Sequence, residues 1–161
     1  MYSIVYDPSR LTVKKGGEVF TLAQSKAIER YVAKQTGLMG KSDEEAALID
    51  SIGELVNDLK TKYNAAKADH VQLTKFVNEV LPLQLSFVEK FIDVYGSGYA
   101  IGNSVSLADI QLYNLLKLSI TAEHKVIEII SHKIASLLAL VASIPGIKKW
   151  EDGRPARNEL F

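Results

Sequence analysis

Apolar positions follow two periods along this chain, and the change between them predicts its elements. In the first part the apolar runs are short and rich in β-formers: "YSIVY" (residues 2–6), "LTVKK" (11–15) and "EVFTL" (18–22). "DPSR" between the first two is turn material, and Gly16-Gly17 is a two-residue hairpin signal between the second and third. The pattern predicts a three-stranded antiparallel meander.

From Ser25 onward the spacing becomes three-and-four, the period of a helix with one buried face. The first helix starts near Ser25, sets Ile28, Tyr31 and Val32 on one face and stops at Gly37. Ser42 and Glu45 form an S-x-x-E capping box for a second helix, whose stripe is Leu48, Ile49, Ile52, Leu55, Val56 and Leu59. A third helix covers Val71 to Tyr95, with an expected kink at Pro82 and an end at Gly96 and Gly98. Ser106-Leu107-Ala108-Asp109 is a second box, S-x-x-D, with Val105 and Ile110 spaced for the hydrophobic staple. Its weight is structural: a cap of this kind contributes roughly 1 kcal/mol, and a catalytic role for Asp109 is the lesser reading. A further helix is expected over Val126 to Val141. Pro145-Gly146 ends it, and "IKKWE" forms a last short turn that Trp150 packs onto the bundle. Tyr99 reads as an anchor for the loop before the second box. There is no internal repeat and no low-complexity segment. The boundary falls near Gly37 to Lys41, giving a strand-and-helix unit over 1–37 and an all-helical unit over 41–161.

Composition narrows the class. The chain has 161 residues, 47% apolar and 24% charged, a globular balance. Lys+Arg and Asp+Glu both number 19, so no basic field attracts nucleic acid, and Lys14-Lys15 and Lys148-Lys149 are too short to be patches. With no Cys, disulfides, thiolate metal sites and a cysteine nucleophile are excluded. His70, His124 and His132 are scattered and show no metal-ligand spacing. Met1 opens no basic-then-apolar leader, and the apolar region around Ile127 to Ile144 is broken by Glu128, His132 and Lys133. The expectation is a cytoplasmic protein without membrane or metal.

One junction poses a chemical question. Gln24-Ser25 stands where the third strand stops and the first helix starts. On one reading Ser25 caps the helix. On the other, the pair and the unpartnered N–H groups behind it hold an anion.

A resemblance bears on that choice. Gln24-Ser25, "KAIERYVAKQTGLMG", "EEAALID", "GYAIGNSVSLADI" and "IPGIKKWEDGRP" occur in this order and at this spacing, from about Leu11 to Pro155. Together they resemble the cytosolic glutathione S-transferases of the alpha, mu, pi and sigma group. The resemblance implies a mainly α fold: a helical bundle preceded by a thioredoxin-like part, here reduced to a hairpin or three-stranded meander plus one helix. Most of that N-terminal half is missing, and "YSIVYD" would stand for its first strand, joined directly to the hairpin. It implies conjugation of reduced glutathione to an electrophile in a homodimer, with glutathione the substrate and no metal or other organic cofactor. Gln24 and Ser25 would bind its γ-glutamyl end, assisted by Asp58 from the partner subunit, while Asp50 would be structural. Leu11 and Thr12 would face the cysteinyl part, and Tyr6 would donate to the sulfur. Tyr63, Asn64 and the tail to Phe161 would border the electrophile pocket. The family has a cis-proline where this chain has Thr12; a cis bond before a non-proline costs roughly 2.5–4 kcal/mol, so a trans bond and a damaged middle of the glutathione site are expected. The alternative is a non-enzymatic scaffold built on the same bundle.

Overall fold

A computed structural model describes residues 2–7, 10–15, 17–120 and 130–153, with the side chains of residues 2–7 and Lys15 left aside. Three strands open the chain: β1 (Tyr2–Asp7), β2 (Arg10–Lys15) and β3 (Glu18–Ala23). They form an antiparallel sheet in the order β1-β2-β3. Asp7 pairs with Arg10 and Lys15 with Glu18, so each connection holds two residues. Gly17 supplies the positive φ, 89°, that the second connection requires. β1 therefore lies directly beside β2, as the resemblance implies.

Period-two alternation decides which face of the sheet is covered. Leu11 and Val13 are buried on one face, with Leu22 packed beside them, against Ile28 and Tyr31 of α1 (Ser25–Gln35). Phe20 joins that contact, its ring centroid 5.4 Å from that of Tyr31. On the other face Val19 is 63% exposed.

α1 looks two ways. Ile28 and Tyr31 face the sheet, but Ala33, 1% exposed, enters the core of the bundle, while Val32, expected inside, is 38% exposed. The helix ends in a left-handed Gly37, φ 75°, with the Leu38 N–H donating to the Ala33 carbonyl at 2.8 Å. This six-to-one bond is the Schellman closure.

The bundle is built on α2 (Asp43–Ala66). The Ser42 hydroxyl accepts from the Glu45 N–H at 3.2 Å, as the box predicts. The return bond differs: the Glu45 carboxylate reaches the N–H of Lys41, one residue further back, at 2.6 Å. Ile49, Ile52, Val56 and Leu59 are buried, and Leu48 and Leu55 pack at their edge.

The third helical stretch comprises α3 (His70–Lys75), a π turn (Phe76–Val80) and α4 (Leu81–Tyr95). Pro82 has no N–H to give the preceding turn. The ladder widens just before it: the Leu81 N–H donates to the Phe76 carbonyl five residues back. α5 (Leu107–Tyr113) also runs into a π segment, Asn114–Ile120. α6 (His132–Ala142) begins at a Ser131 cap, and α7 (Pro145–Gly153) closes the described chain. The helix expected from Val126 is thus seen from His132, because residues 121–129, with His124, lie outside the described residues, as does the tail from Arg154 to Phe161. Trp150, expected to pack the last turn onto the bundle, is 55% exposed. The molecule is mainly helical, and none of its described helices is long and apolar enough to cross a membrane.

Candidate functional site

The junction between β3 and α1 is built from strained backbone. Gln24 has φ 75° and ψ 116°, and it is the one non-glycine residue with positive φ among those described. Such a conformation costs on the order of 1–3 kcal/mol and persists only where the surroundings enforce it. The Gln24 carbonyl accepts the first helical bond, from the Ile28 N–H at 3.0 Å. Ser25 is therefore the first helical residue and not the cap; the cap position belongs to Gln24, whose side chain makes no capping bond. The N–H groups at the start of a helix lack carbonyls four residues back, and the first turn holds no acidic residue to neutralise them. Gln24 and Ser25 are both exposed. The arrangement presents amides, an amide side chain and a hydroxyl to solvent at the positive end of a helix dipole.

Leu11 and Thr12 lie in the central strand. Leu11 is in register with Tyr6 on one side and Leu22 on the other; Thr12 is in register with Val5 and Thr21. Leu11 is buried at 2% exposure and Thr12 half-buried. No peptide bond among the described residues is cis. Tyr6 has a fixed place in β1, while its side chain lies outside the described set. Asp58 is exposed on α2. Tyr63 is 4% exposed and belongs to the core, its ring tilted against that of Phe76 with centroids 5.8 Å apart.

Asp109 is fully buried. Its carboxylate accepts from the Ala100 N–H at 2.7 Å, the Ser106 N–H at 2.8 Å and the Ser106 hydroxyl at 2.6 Å. The box closes in both directions and also ties down the loop that carries Tyr99. Burial pushes the Asp109 carboxyl above its usual range, against hydrogen bonds that pull it down.

Two polar links between α1 and the bundle escaped the sequence reading. Arg30 pairs with Asp50 at 3.1 Å and Glu54 at 2.9 Å. Its hydrogen bond to Glu54 is the largest of the influences that raise the Arg30 pKa. Glu29 accepts from Gln111 Nε2 at 2.7 Å. A groove of about 220 Å³ runs beside that second link, lined by Lys26, Lys60, Ile110, Asn114 and their neighbours. The one signal available beforehand was Gly53 inside an uninterrupted helical stripe, since an isolated helical glycine often marks close packing. Among the described residues no group of three His, Cys, Asp or Glu side chains could hold a metal.

The family described as "Glutathione S-transferase, C-terminal domain" matches residues 54–154. Glutathione S-transferase 1 of Ascaris suum is 33% identical over 150 residues, 86% of this chain and 70% of that protein. The chain belongs to the glutathione S-transferase family. Bovine glutathione S-transferase P is 34% identical over 108 residues, 61% of this chain and 48% of the bovine protein. The chain thus spans about half the length of that relative. A solved structure of Na-GST-3 from the hookworm Necator americanus, a glutathione S-transferase described as monomeric, superposes with a TM-score of 0.74 at 30% identity, over 91% of this chain and 74% of that one. The family match and this structural likeness bear out the resemblance read in the sequence.

Proposed function

We propose that this glutathione S-transferase family member binds reduced glutathione by its γ-glutamyl carboxylate at the first turn of α1. The observation that carries the reading is the backbone of Gln24: a strained, positive-φ residue directly before free helix-terminal N–H groups. Strain held at a helix start suits a site kept in shape for a ligand. Gln24 supplies an amide and Ser25 a hydroxyl to the carboxylate, and in a homodimer Asp58 of the partner subunit faces the α-amino group. The small cluster around Leu11 supports reading residues 1–37 as the glutathione-site portion and 41–161 as the helical domain.

In the conjugation the glutathione thiol would lose its proton to water, and the thiolate would form a C–S bond to an electrophilic carbon while the leaving group departs with the electrons of its own bond, as chloride does from chlorodinitrobenzene. Tyr6 is the residue we assign to favour that thiolate by a hydrogen bond. The cysteinyl part fares less well. Leu11 and Thr12 sit in a ladder paired on both sides and joined by a trans bond, so the main chain offers it little, and weak affinity follows.

Glutathione titration by calorimetry tests the binding, with chlorodinitrobenzene turnover as the chemical readout. Ser25→Ala should weaken glutathione binding by roughly ten- to a hundredfold, the range of one hydrogen bond to a charged group. Unchanged affinity removes Ser25 from the site. Tyr6→Phe should abolish turnover while leaving binding in place; surviving turnover removes Tyr6 from the chemistry. The second reading, a scaffold without catalysis, draws on the same paired ladder and on a core that lies mainly in the bundle. Binding without turnover in the wild-type chain selects it.

A further inference from the structure

Glu29 is a shared acceptor. Its Oε2 takes the hydrogen bond from Gln111 Nε2 at 2.7 Å and pairs with Lys26 Nζ at 2.8 Å. Lys26 follows Ser25, and Glu29 lies one turn further along α1, so these two side chains flank the start of the helix.

The other end of the Gln111 amide is equally constrained. Oε1 is shut off from solvent and has no hydrogen-bond partner among the described atoms. It lies against Gly53, in the interior of α2: a Cβ at that residue would fall 2.7 Å from Oε1. Glycine at a helix interior gives up about 1 kcal/mol relative to alanine, and here it makes room for this oxygen. The Cα–H directed at Oε1 is a weak partner at most. The amide cannot turn over, because Oε1 would then face the Glu29 carboxylate and the N–H group would lose its charged acceptor.

We propose that Gln111 is a positioning residue: lodged against Gly53, it ties Glu29, and with it Lys26 and the first turn of α1, to the face of the bundle. The middle of α1 is held separately by Arg30, and the turn after it by the Leu107 N–H donating to the Leu38 carbonyl at 2.8 Å. The Gln111 tie acts at the end where Gln24 is strained and the free N–H groups lie. Its role in ligand binding rests on the glutathione reading above; the tie itself does not.

Hydrogen exchange by mass spectrometry on the ligand-free full chain, followed by glutathione titration, separates the two. Gln111→Ala and Glu29→Ala should speed exchange over residues 28–30, the first amides bonded within α1, about tenfold, the size expected of a lost hydrogen bond to a charged group. Glu29→Gln keeps an oxygen for Gln111 and should restore most of the protection that Glu29→Ala loses. Gly53→Ala should act in opposite directions, slowing exchange in α2 through better helix propensity and speeding it at the start of α1 by displacing Gln111. A general loss of packing would not split the two helices in this way. Glutathione affinity should fall about three- to tenfold with Gln111→Ala and stay near wild type with Glu29→Gln. Unchanged exchange at residues 28–30 in both Gln111→Ala and Gly53→Ala overturns the tie. Faster exchange there with glutathione affinity unaltered overturns its positioning role. If the wild-type chain binds no glutathione, the functional reading falls, and the exchange results alone decide the tie.

Discussion

In the bundle, Ile49, Leu81, Leu112, Leu116 and Ile134 are each shielded almost completely, and they belong to one continuous cluster drawn from α2 to α6. In the strand unit the buried cluster is Leu11, Val13 and Ile28, with Leu22 and Tyr31 at its edge and Val19 bare on the opposite face. The bundle has area enough to bury a carboxylate and satisfy it. The strand unit has little reserve and leans on α1, which the bundle holds. The residues assigned to glutathione nevertheless lie on the weaker side, at a junction whose backbone is strained. A site of this kind depends on what braces it from behind, and mutations in the two regions should differ in kind as well as in size.

The largest effect is expected at Asp109. Replacing it with alanine orphans the Ala100 N–H, the Ser106 N–H and the Ser106 hydroxyl, all buried with it. At about 1–3 kcal/mol per unsatisfied buried group, and allowing for partial relaxation, Asp109→Ala should cost roughly 3–5 kcal/mol. That is much of a typical domain's stability, and urea denaturation followed by circular dichroism reads it. A loss under about 1 kcal/mol would mean the loop relaxes freely and the box is dispensable. The same group gives a pH signature. Because burial raises its folded pKa above the unfolded value, its contribution to stability is full below the ordinary aspartate range and is lost as pH rises through the raised value. Asp109→Asn should flatten that part of the stability curve; an unaltered slope would show that burial does not control the group.

Leu11→Ala tests the other side of the comparison. Leu11 is the most buried member of its small cluster, and truncating a buried leucine costs about 2–5 kcal/mol. In so thin a unit the low end is expected, roughly 2 kcal/mol. The loss should appear as local opening: faster exchange in the strands and α1, with the main denaturation transition of the bundle shifted little. A cooperative shift of the whole transition would show that sheet and bundle fold as one.

The legibility of the sequence divides along the same line. The α2 stripe, the Ser42 cap, the Ser106 box and the Gly37 stop are local signals with strong physics, and the structure has them where the pattern places them. The meander was also legible, since Gly16-Gly17 and "DPSR" mark its turns. What failed depended on long-range contact. Val32 and Ala33 are equally apolar neighbours, and only the position of the bundle sends Ala33 inward. The π turn before Pro82 is a compromise between a missing N–H and the packing of Phe76 against Tyr63, and periodicity alone shows a kink. At the site, the position of Gln24-Ser25 at the strand-to-helix junction was legible, but its strain was not, because positive φ at glutamine is imposed from outside the residue. Gln111 and Glu29 are 82 positions apart, and no local pattern joins them.

The smallest effect should come from the most visible link between the two regions. Arg30 reaches Asp50 and Glu54 with good geometry, yet its side chain is 40% exposed and those of its partners 43% and 57%. Water screens such pairs, and exposed ion pairs contribute about 0–1 kcal/mol. Arg30→Ala should therefore cost no more than roughly 1 kcal/mol, and raising the salt to about 1 M, where the screening length falls to about 3 Å, should shrink the difference between variant and wild type. Denaturation at low and high salt measures both. A salt-independent loss above about 2 kcal/mol would show that Arg30, and not burial of Ala33, fastens α1 to the bundle, and the division between a self-sufficient bundle and a leaning strand unit would have to be redrawn around a charged clamp.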